Sequence, residues 1–164
     1  MLENFKANNK PAAVIWLLGL SGAGKTTISG LLQELLAENG QPSLILDGDE
    51  LRSGINKDLG FSGSDRTENI RRTAELARII SGNGIICICS LITPMQMHRS
   101  LAASIIGSVY CEVFVDCPLT VCEERDVKGL YRKAKTGELK NFTGISAGFE
   151  IPAAPFLVVD SNLE

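Results

Sequence analysis

The sequence predicts an α/β fold in which a parallel β-sheet carries helices on both faces. Short apolar segments alternate along the chain with segments whose apolar residues recur at helical spacing. The 164 residues contain no internal repeat and 45% of them are apolar, which suits one domain over residues 1–164. Ligands of such sheets bind beyond the carboxyl ends of the strands, so the residues that end each strand are the first functional candidates.

The first strand and helix are predicted from two different apolar patterns. Residues 13–19 form an almost uninterrupted apolar run, which is typical of a buried strand. Residues 25–39 form a helix with one apolar face, made of Ile28, Leu31, Leu32, Leu35 and Leu36. Gly40 ends this helix, because glycine readily adopts the left-handed backbone that closes many helices.

The remaining elements continue the alternation. We predict strands at 43–47, 84–90, 111–116 and 156–159, and helices at 66–81, 95–106 and 119–126. The helix at 66–81 should bury Ile70, Ala74 and Ala77. The predicted strand ends are Gly19, Asp47, residues 90–93 and Asp116.

A phosphate-binding loop joins the first strand to the first helix. Residues 19–26 read Gly-Leu-Ser-Gly-Ala-Gly-Lys-Thr, which fits G-x-x-x-x-G-K-[ST] in the strand-to-helix context that this motif requires. Its amides and the helix dipole would hold phosphate, Lys25 would reach the β- and γ-phosphates of ATP, and Thr26 would bind Mg²⁺. The alternative is a glycine-rich turn that binds nothing. The ATP-binding candidates are Gly19, Ser21, Gly22, Ala23, Gly24, Lys25, Thr26 and Thr27.

Two carboxylates leave the end of the second strand close together. Asp47 ends the strand and Asp49 follows two residues later. One could order the metal ion while the other accepts a proton from an attacking hydroxyl, which makes both catalytic candidates together with Lys25. The alternative for Asp49 is that it caps the helix beginning near Glu50.

A basic segment stands out in a chain of net charge −3. Residues 128–142 carry five Lys or Arg and one acidic residue, a local charge of +4, and glycines flank them. We interpret residues 128–145 as a flap that closes over polyanionic ligands, with Lys128 as a catalytic candidate. The alternative is a solvated helix face.

A second cluster suits a purine nucleotide. Arg66 and Asn69 share one helix face, and Phe61 lies just before them. An aromatic ring, an amide and a guanidinium could bind a base and its phosphate. The alternative for Phe61 is core packing.

Cysteine, histidine and charge exclude other classes. The five cysteines are read as reduced thiols, and Cys87 and Cys89 are expected to face opposite sides of their strand, which argues against a zinc site. His98 is expected to be solvated. Sixteen basic and 19 acidic residues argue against a protein that coats nucleic acid. The longest apolar run, residues 12–20, is too short to span a membrane, and residues 1–9 lack a secretion signal, so we expect a cytoplasmic protein.

These segments together strongly resemble adenylylsulfate kinase (APS kinase) from about Trp16 to Pro155. Besides the phosphate loop, the matching stretches include Leu-Asp-Gly-Asp ending at Asp49, Asp-Leu-Gly-Phe-Ser ending at Ser62, and Asp65-Arg66 with Glu68-Asn-Ile-Arg-Arg72. The most specific are Arg-Asp-Val-Lys-Gly-Leu-Tyr ending at Tyr131 and Phe-Thr-Gly-Ile ending at Ile145.

The resemblance implies a three-layer P-loop NTPase-like fold and transfer of the γ-phosphate of ATP to the 3′-hydroxyl of adenosine 5′-phosphosulfate (APS). It implies a homodimer acting in sulfate assimilation, with Thr26 and Asp47 at Mg²⁺. Asp49 would contact the 3′-hydroxyl, and the adenine of APS would lie between Phe61 and Phe142. The implied APS-binding residues are Asp49, Arg52, Phe61, Arg66, Asn69, Ile92, Thr93, Lys128, Asn141 and Phe142, and Lys133 would belong to the flap.

The chain departs from the family pattern at three places. Residues 92–96 read Ile-Thr-Pro-Met-Gln where the family usually has Ile-Ser-Pro-Tyr-Arg, and Thr93 can still donate a hydrogen bond. Glu50 stands where asparagine is frequent. The sequence ends at Glu164, so we expect the family's C-terminal helix, which helps to shape the ATP base site, to be missing.

Two other functions fit parts of the pattern. A different small P-loop kinase would phosphorylate another alcohol and ignore APS. A non-catalytic nucleotide switch would bind ATP without any ADP release that depends on an acceptor.

Replacing either polar residue of the second cluster should separate the two ligands. Arg66→Ala or Asn69→Ala is expected to impair the use of APS while ATP binding is largely kept, because the cluster lies outside the phosphate loop. Steady-state kinetics in APS and equilibrium titration with ATP measure the two effects. An equal loss of both ligands would contradict a separate acceptor site.

Overall fold

The computed structural model describes residues 10–162, which form a parallel five-stranded sheet in the order β2-β3-β1-β4-β5. The strands are β1 (Val14–Leu18), β2 (Ser43–Asp47), β3 (Ile86–Ser90), β4 (Tyr110–Asp116) and β5 (Leu157–Asp160). The helices are α1 (Lys25–Glu38), α2 (Gly48–Ser53), α3 (Gly63–Gly82), α4 (Gln96–Ile106), α5 (Leu119–Arg125) and α6 (Leu130–Lys135). The predicted α/β fold is confirmed, while the expectation for residues 1–9 lies outside the described residues.

Helices cover both faces of the sheet because successive strand residues point in opposite directions. Val14, Trp16 and Leu18 of β1 pack in a cluster with Ala74 and Ala77 of α3. The opposite face, which includes Leu17, packs against α1, α5 and α6. The predicted burial of Ile70, Ala74 and Ala77 is correct.

Two helices differ in detail from the sequence prediction. In α1, Ile28, Leu32 and Leu36 pack on the sheet, but Leu31 and Leu35 are 57% and 56% exposed. Only the row of residues spaced by four rests on the strands, so the predicted face was too wide. Helix α3 begins three residues earlier than predicted, because the Ser62 hydroxyl accepts a hydrogen bond from the Asp65 amide at 3.1 Å and caps it.

The expected orientation of the two neighbouring cysteines is wrong. Residues two apart on a strand share a face, and Cys87 and Cys89 accordingly point the same way, with their Sγ atoms 3.8 Å apart. The thiols are free, as expected. Within residues 10–162 no three His, Cys, Asp or Glu side chains cluster so as to hold a metal ion.

The expectation for the histidine is also wrong. His98 lies on α4, is only 3% exposed, and has its Nε2 atom 3.3 Å from the Thr67 hydroxyl of α3. The helix turns it toward α3 rather than toward solvent. No helix between residues 10 and 162 is long and apolar enough to cross a bilayer.

His98 should make stability depend on pH. Burial, followed by the positive charges of Arg66 and Arg99, lowers the pKa of His98 below its ordinary 6.5, and Glu150 opposes this shift. The unfolded chain therefore takes up the proton first, and the free energy of unfolding should fall as the pH drops from 6.5 to the lower folded pKa.

Urea denaturation between pH 7.5 and pH 5 measures this effect. The His98→Gln variant should lose less stability than the unmodified protein over that range. Parallel pH profiles of the two proteins would contradict the assignment to His98.

Candidate active site

A cavity of about 1230 Å³ opens at the carboxyl ends of the strands. It brings together residues from the phosphate loop, α2, α3, the 90–94 loop and the segment 125–143. Of the predicted site residues, these line it: Ser21, Gly22, Gly24, Lys25, Thr26, Thr27, Asp47, Asp49, Arg52, Phe61, Arg66, Asn69, Ile92, Thr93, Lys128, Asn141 and Phe142. Gly19 and Ala23 do not line it, and neither does Lys133.

Gly19 begins the phosphate loop where the backbone passes very close to β4. Its φ is +149°, and a Cβ atom at this position would lie 2.5 Å from the carbonyl oxygen of Val115. Any side chain would push the loop away from the sheet. Gly19 is therefore required for the course of the loop, and its contact with ATP stays a prediction.

Lys25 closes the phosphate loop from within. Its Nζ atom donates to the carbonyl oxygens of Gly19 and Leu20 at 2.9 and 2.7 Å, and the residue is 9% exposed. Burial lowers the pKa of Lys25 to about 8. The loop carbonyl oxygens thus hold the ammonium group next to the predicted phosphate-binding site.

Thr26 and Asp47 place two oxygen ligands side by side. The Thr26 hydroxyl donates to Asp47 Oδ2 at 3.1 Å, and Asp47 Oδ1 accepts from the Asp49 amide at 2.9 Å. Hydroxyl and carboxylate oxygens next to a phosphate loop fit Mg²⁺, which takes one or two protein ligands and completes its shell with phosphate and water. The residue that caps α2 is Asp47, so the alternative that Asp49 caps this helix is wrong.

The basic segment combines a loop with a short helix. Lys128 contacts the Asp49 carboxylate, and both side chains are more than half exposed. Helix α6 follows and buries Tyr131 and Ala134. The Tyr131 hydroxyl donates to the carbonyl oxygen of Ser21 at 2.8 Å, which ties the segment to the phosphate loop. The solvated helix face describes Arg132, Lys133 and Lys135, which are exposed on α6, while closure of the segment over a ligand stays a prediction.

Arg52 and Phe61 form a stacked pair that lines the cavity. The guanidinium carbon of Arg52 lies 4.5 Å from the centre of the Phe61 ring, and Arg52 Nη1 donates to the carbonyl oxygen of Gly60 at 2.9 Å. Phe61 is 52% exposed. Core packing does not explain this aromatic residue.

Arg66 connects the Phe61 loop to the end of the basic segment. Its Nε donates to the Phe61 carbonyl oxygen at 3.2 Å, its Nη1 to the Thr143 hydroxyl at 2.9 Å, and its Nη2 to the Asn141 carbonyl oxygen. Phe142 lies between the last two and packs edge-on against Tyr131 with ring centres 5.0 Å apart. One guanidinium therefore fixes the backbone at both aromatic residues expected to enclose adenine.

The loop after β3 is held by buried side chains. Thr93 has φ +44°, is 2% exposed, and accepts a hydrogen bond from Trp16 Nε1 at 2.9 Å. Arg99 donates to the carbonyl oxygens of Thr93 and Pro94 and to Gln96 Oε1. Thr93 and Gln96, which differ from the usual family residues, therefore stabilise the loop. The Thr93 hydroxyl oxygen accepts from Trp16, and Gln96 accepts from Arg99.

Sequence reasoning missed several cavity residues. Arg125 donates to the carbonyl oxygens of Ser161 at 2.7 Å and Gly22 at 3.3 Å, and the Ser161 hydroxyl donates to the Ala23 carbonyl oxygen at 2.8 Å. The sequence could have indicated Ser161, because it follows the end of β5, which lies beside the end of β4 in the same sheet. The missed residues also include His98, Tyr131, Thr143 and Asp160.

Known proteins share both this sequence and this fold. The adenylylsulphate kinase family model matches residues 11–160. The adenylyl-sulfate kinase of Paraburkholderia xenovorans is 51% identical over 150 residues, covering 92% of this chain and 84% of that protein. The APS kinase structure from Mycobacterium tuberculosis, in complex with AMPPNP and APS, has a TM-score of 0.91 and 41% identity over 94% of this chain and 91% of that chain.

One further relative is an assembly. The hexameric APS kinase from Thiobacillus denitrificans has a TM-score of 0.68 and 27% identity, covering 94% of this chain and 26% of that chain.

Removing the Thr143 hydroxyl should loosen the Arg66 contact. Thr143→Val leaves a partly buried N–H of Arg66 without its acceptor and should lower the free energy of unfolding by about 1–3 kcal/mol. Thr143→Ser keeps the hydroxyl and is the matched control, with the smaller loss expected for one methyl group. Urea denaturation compares them, and a Ser variant as unstable as the Val variant would refute the role of the hydroxyl.

Proposed function

The chain belongs to the adenylylsulfate kinase family, and we propose that it transfers the γ-phosphate of ATP to the 3′-hydroxyl of APS, giving PAPS and ADP. The observation that carries this proposal is one cavity with two different sets of binding groups. One set is the phosphate loop, and the other comprises Arg52, Phe61, Arg66 and Asn69. Two nucleotides can therefore meet with their reacting groups between Asp47, Asp49 and Lys128.

The phosphate loop supplies the donor side. Its amides and the N-terminus of α1 bind the phosphates of ATP, and Lys25 moves its Nζ from the loop carbonyls to the β- and γ-phosphates. Thr26 and Asp47 would hold Mg²⁺, which neutralises charge on the phosphates during transfer. The backbone carbonyl oxygens of Gly22 and Ala23 accept hydrogen bonds from Arg125 and Ser161, respectively, which helps to hold the loop in place.

Asp49 and Lys128 serve the reacting groups. Asp49 receives the 3′-hydroxyl of APS, orients its oxygen toward the γ-phosphorus and can take its proton. Lys128 leaves Asp49 when the substrates enter and stabilises the transferred phosphoryl group. Residues 128–145 then act as the flap that excludes water.

The acceptor cleft holds APS through stacking and hydrogen bonds. Phe61 offers the ring face that Arg52 leaves free, and Phe142, which also lines the cavity, would contact the adenine from its other side. Arg66 and Asn69 provide donors for the nucleotide, while Ile92, Thr93 and Asn141 complete the cleft.

The family context extends to assembly and location. A hexameric relative has been solved, and for this chain we propose a homodimer. We place its activity in the cytoplasm, as part of sulfate assimilation.

ADP release measured with ATP, Mg²⁺ and APS tests the proposed function. Release should require APS and should yield PAPS in equal amount, since each transfer forms one of each. Lys25→Ala should lower the rate by at least 100-fold because it removes the charge that meets the γ-phosphate. Lys10→Ala removes an exposed lysine outside the cavity and is the matched control.

Two results would overturn the assignment. A rate that does not change when APS is omitted would indicate an ATPase or a different acceptor. Full activity of Lys25→Ala would exclude the phosphate loop as the donor site.

A further inference from the structure

A buried asparagine stands directly behind the acceptor cleft. Asn56 lies in the loop between α2 and α3, is 0% exposed, and does not line the cavity. Its Nδ2 atom donates a hydrogen bond to Asn69 Oδ1 at 3.0 Å. Asn69 does line the cavity and is 5% exposed. Asn56 is thus one hydrogen bond away from a group proposed to bind APS.

The backbones of both asparagines are held by hydrogen bonds of their own. The backbone N–H of Asn56 donates to the Leu51 carbonyl oxygen at 2.8 Å, and the backbone carbonyl oxygen of Asn56 accepts from the Leu59 N–H at 3.0 Å. Asn69 is the seventh residue of α3 and lies in its second turn, where its backbone carbonyl oxygen accepts a hydrogen bond from the Thr73 hydroxyl at 2.7 Å. The backbones of both residues are therefore held in place, and the hydrogen bond between the side chains depends on how the two amide groups are oriented.

The hydrogen bond decides which end of the Asn69 amide faces a ligand. An asparagine side chain has one acceptor oxygen and one donor NH₂ group. Because the oxygen is directed to Asn56, the NH₂ group is left for the cavity. We propose that Asn56 is a positioning residue that keeps Asn69 as a hydrogen-bond donor toward an acceptor atom of the APS nucleotide. This inference rests on the proposed function.

The arrangement has an energetic cost that packing alone would avoid. Within residues 10–162, Asn56 Oδ1 is buried and has no hydrogen-bond partner. An apolar residue of similar size would remove this unsatisfied group, which ordinarily destabilises a folded protein. A requirement for the donor at Nδ2 accounts for an asparagine at this position.

Asn56→Asp tests the proposal with almost no change in shape. The carboxylate can only accept, so Asn69 must turn its NH₂ group inward and present its oxygen to the ligand. The KM for APS should rise roughly 10- to 100-fold, since a donor is replaced by an acceptor, whereas the KM for ATP should stay within about twofold. Asn83→Asp, at the exposed end of α3, is the matched control and should change neither value.

A double-variant cycle separates positioning from general stability. In an Asn69→Ala background Asn56→Asp should have no further effect on the KM for APS, because the residue through which it acts is gone. Asn56→Ala, which buries no charge, should raise the KM for APS about 3- to 10-fold and should also have no effect in that background. It provides the same comparison if the aspartate variant does not fold.

The outcomes distinguish this inference from the proposed function. If the unmodified protein shows no transfer to APS, the proposed function fails. If it does transfer but Asn56→Asp or Asn56→Ala leaves the KM for APS unchanged, raises the KM for ATP equally, or adds to the effect of Asn69→Ala, the positioning role is refuted.

Discussion

The close approach of the phosphate loop to β4 is the constraint on which the site depends. Gly19 passes so near the Val115 carbonyl that no side chain fits, and Lys25 then binds back to the carbonyl oxygens of Gly19 and Leu20. The loop is therefore shaped by the central strands before any phosphate arrives. Such a preformed set of amides binds anions without having to be reorganised.

The acceptor side is built on a different principle. Its walls come from segments far apart in the chain and are joined by side chains rather than by sheet hydrogen bonds. Arg66 ties the Phe61 loop to residues 141 and 143, and Asn56 joins the α2–α3 loop to Asn69. The acceptor side is therefore held by separate side-chain hydrogen bonds, each of which contributes about 0.5–1.5 kcal/mol.

Local patterns in the sequence predicted the strands, the phosphate loop and the pair Asp47 and Asp49, because each depends on neighbouring residues. The failures have long-range causes. The burial of His98 is set by how α4 turns toward α3, and the exposure of Leu31 and Leu35 by the angle at which α1 rests on the sheet. The partners of Arg66 lie 75 and 77 residues away, a distance at which composition and spacing carry no signal. The error over Cys87 and Cys89 was one of strand periodicity, which the sequence already contained.

The ion pair between Lys128 and Asp49 affects the apparent affinity for the substrates. Both side chains are more than half exposed, and ion pairs of this kind contribute only about 0–1 kcal/mol. Breaking the pair would then reduce the apparent affinity of an incoming nucleotide by less than a factor of ten. The two opposite charges can therefore pair in the absence of nucleotide at little cost to the binding of the substrates.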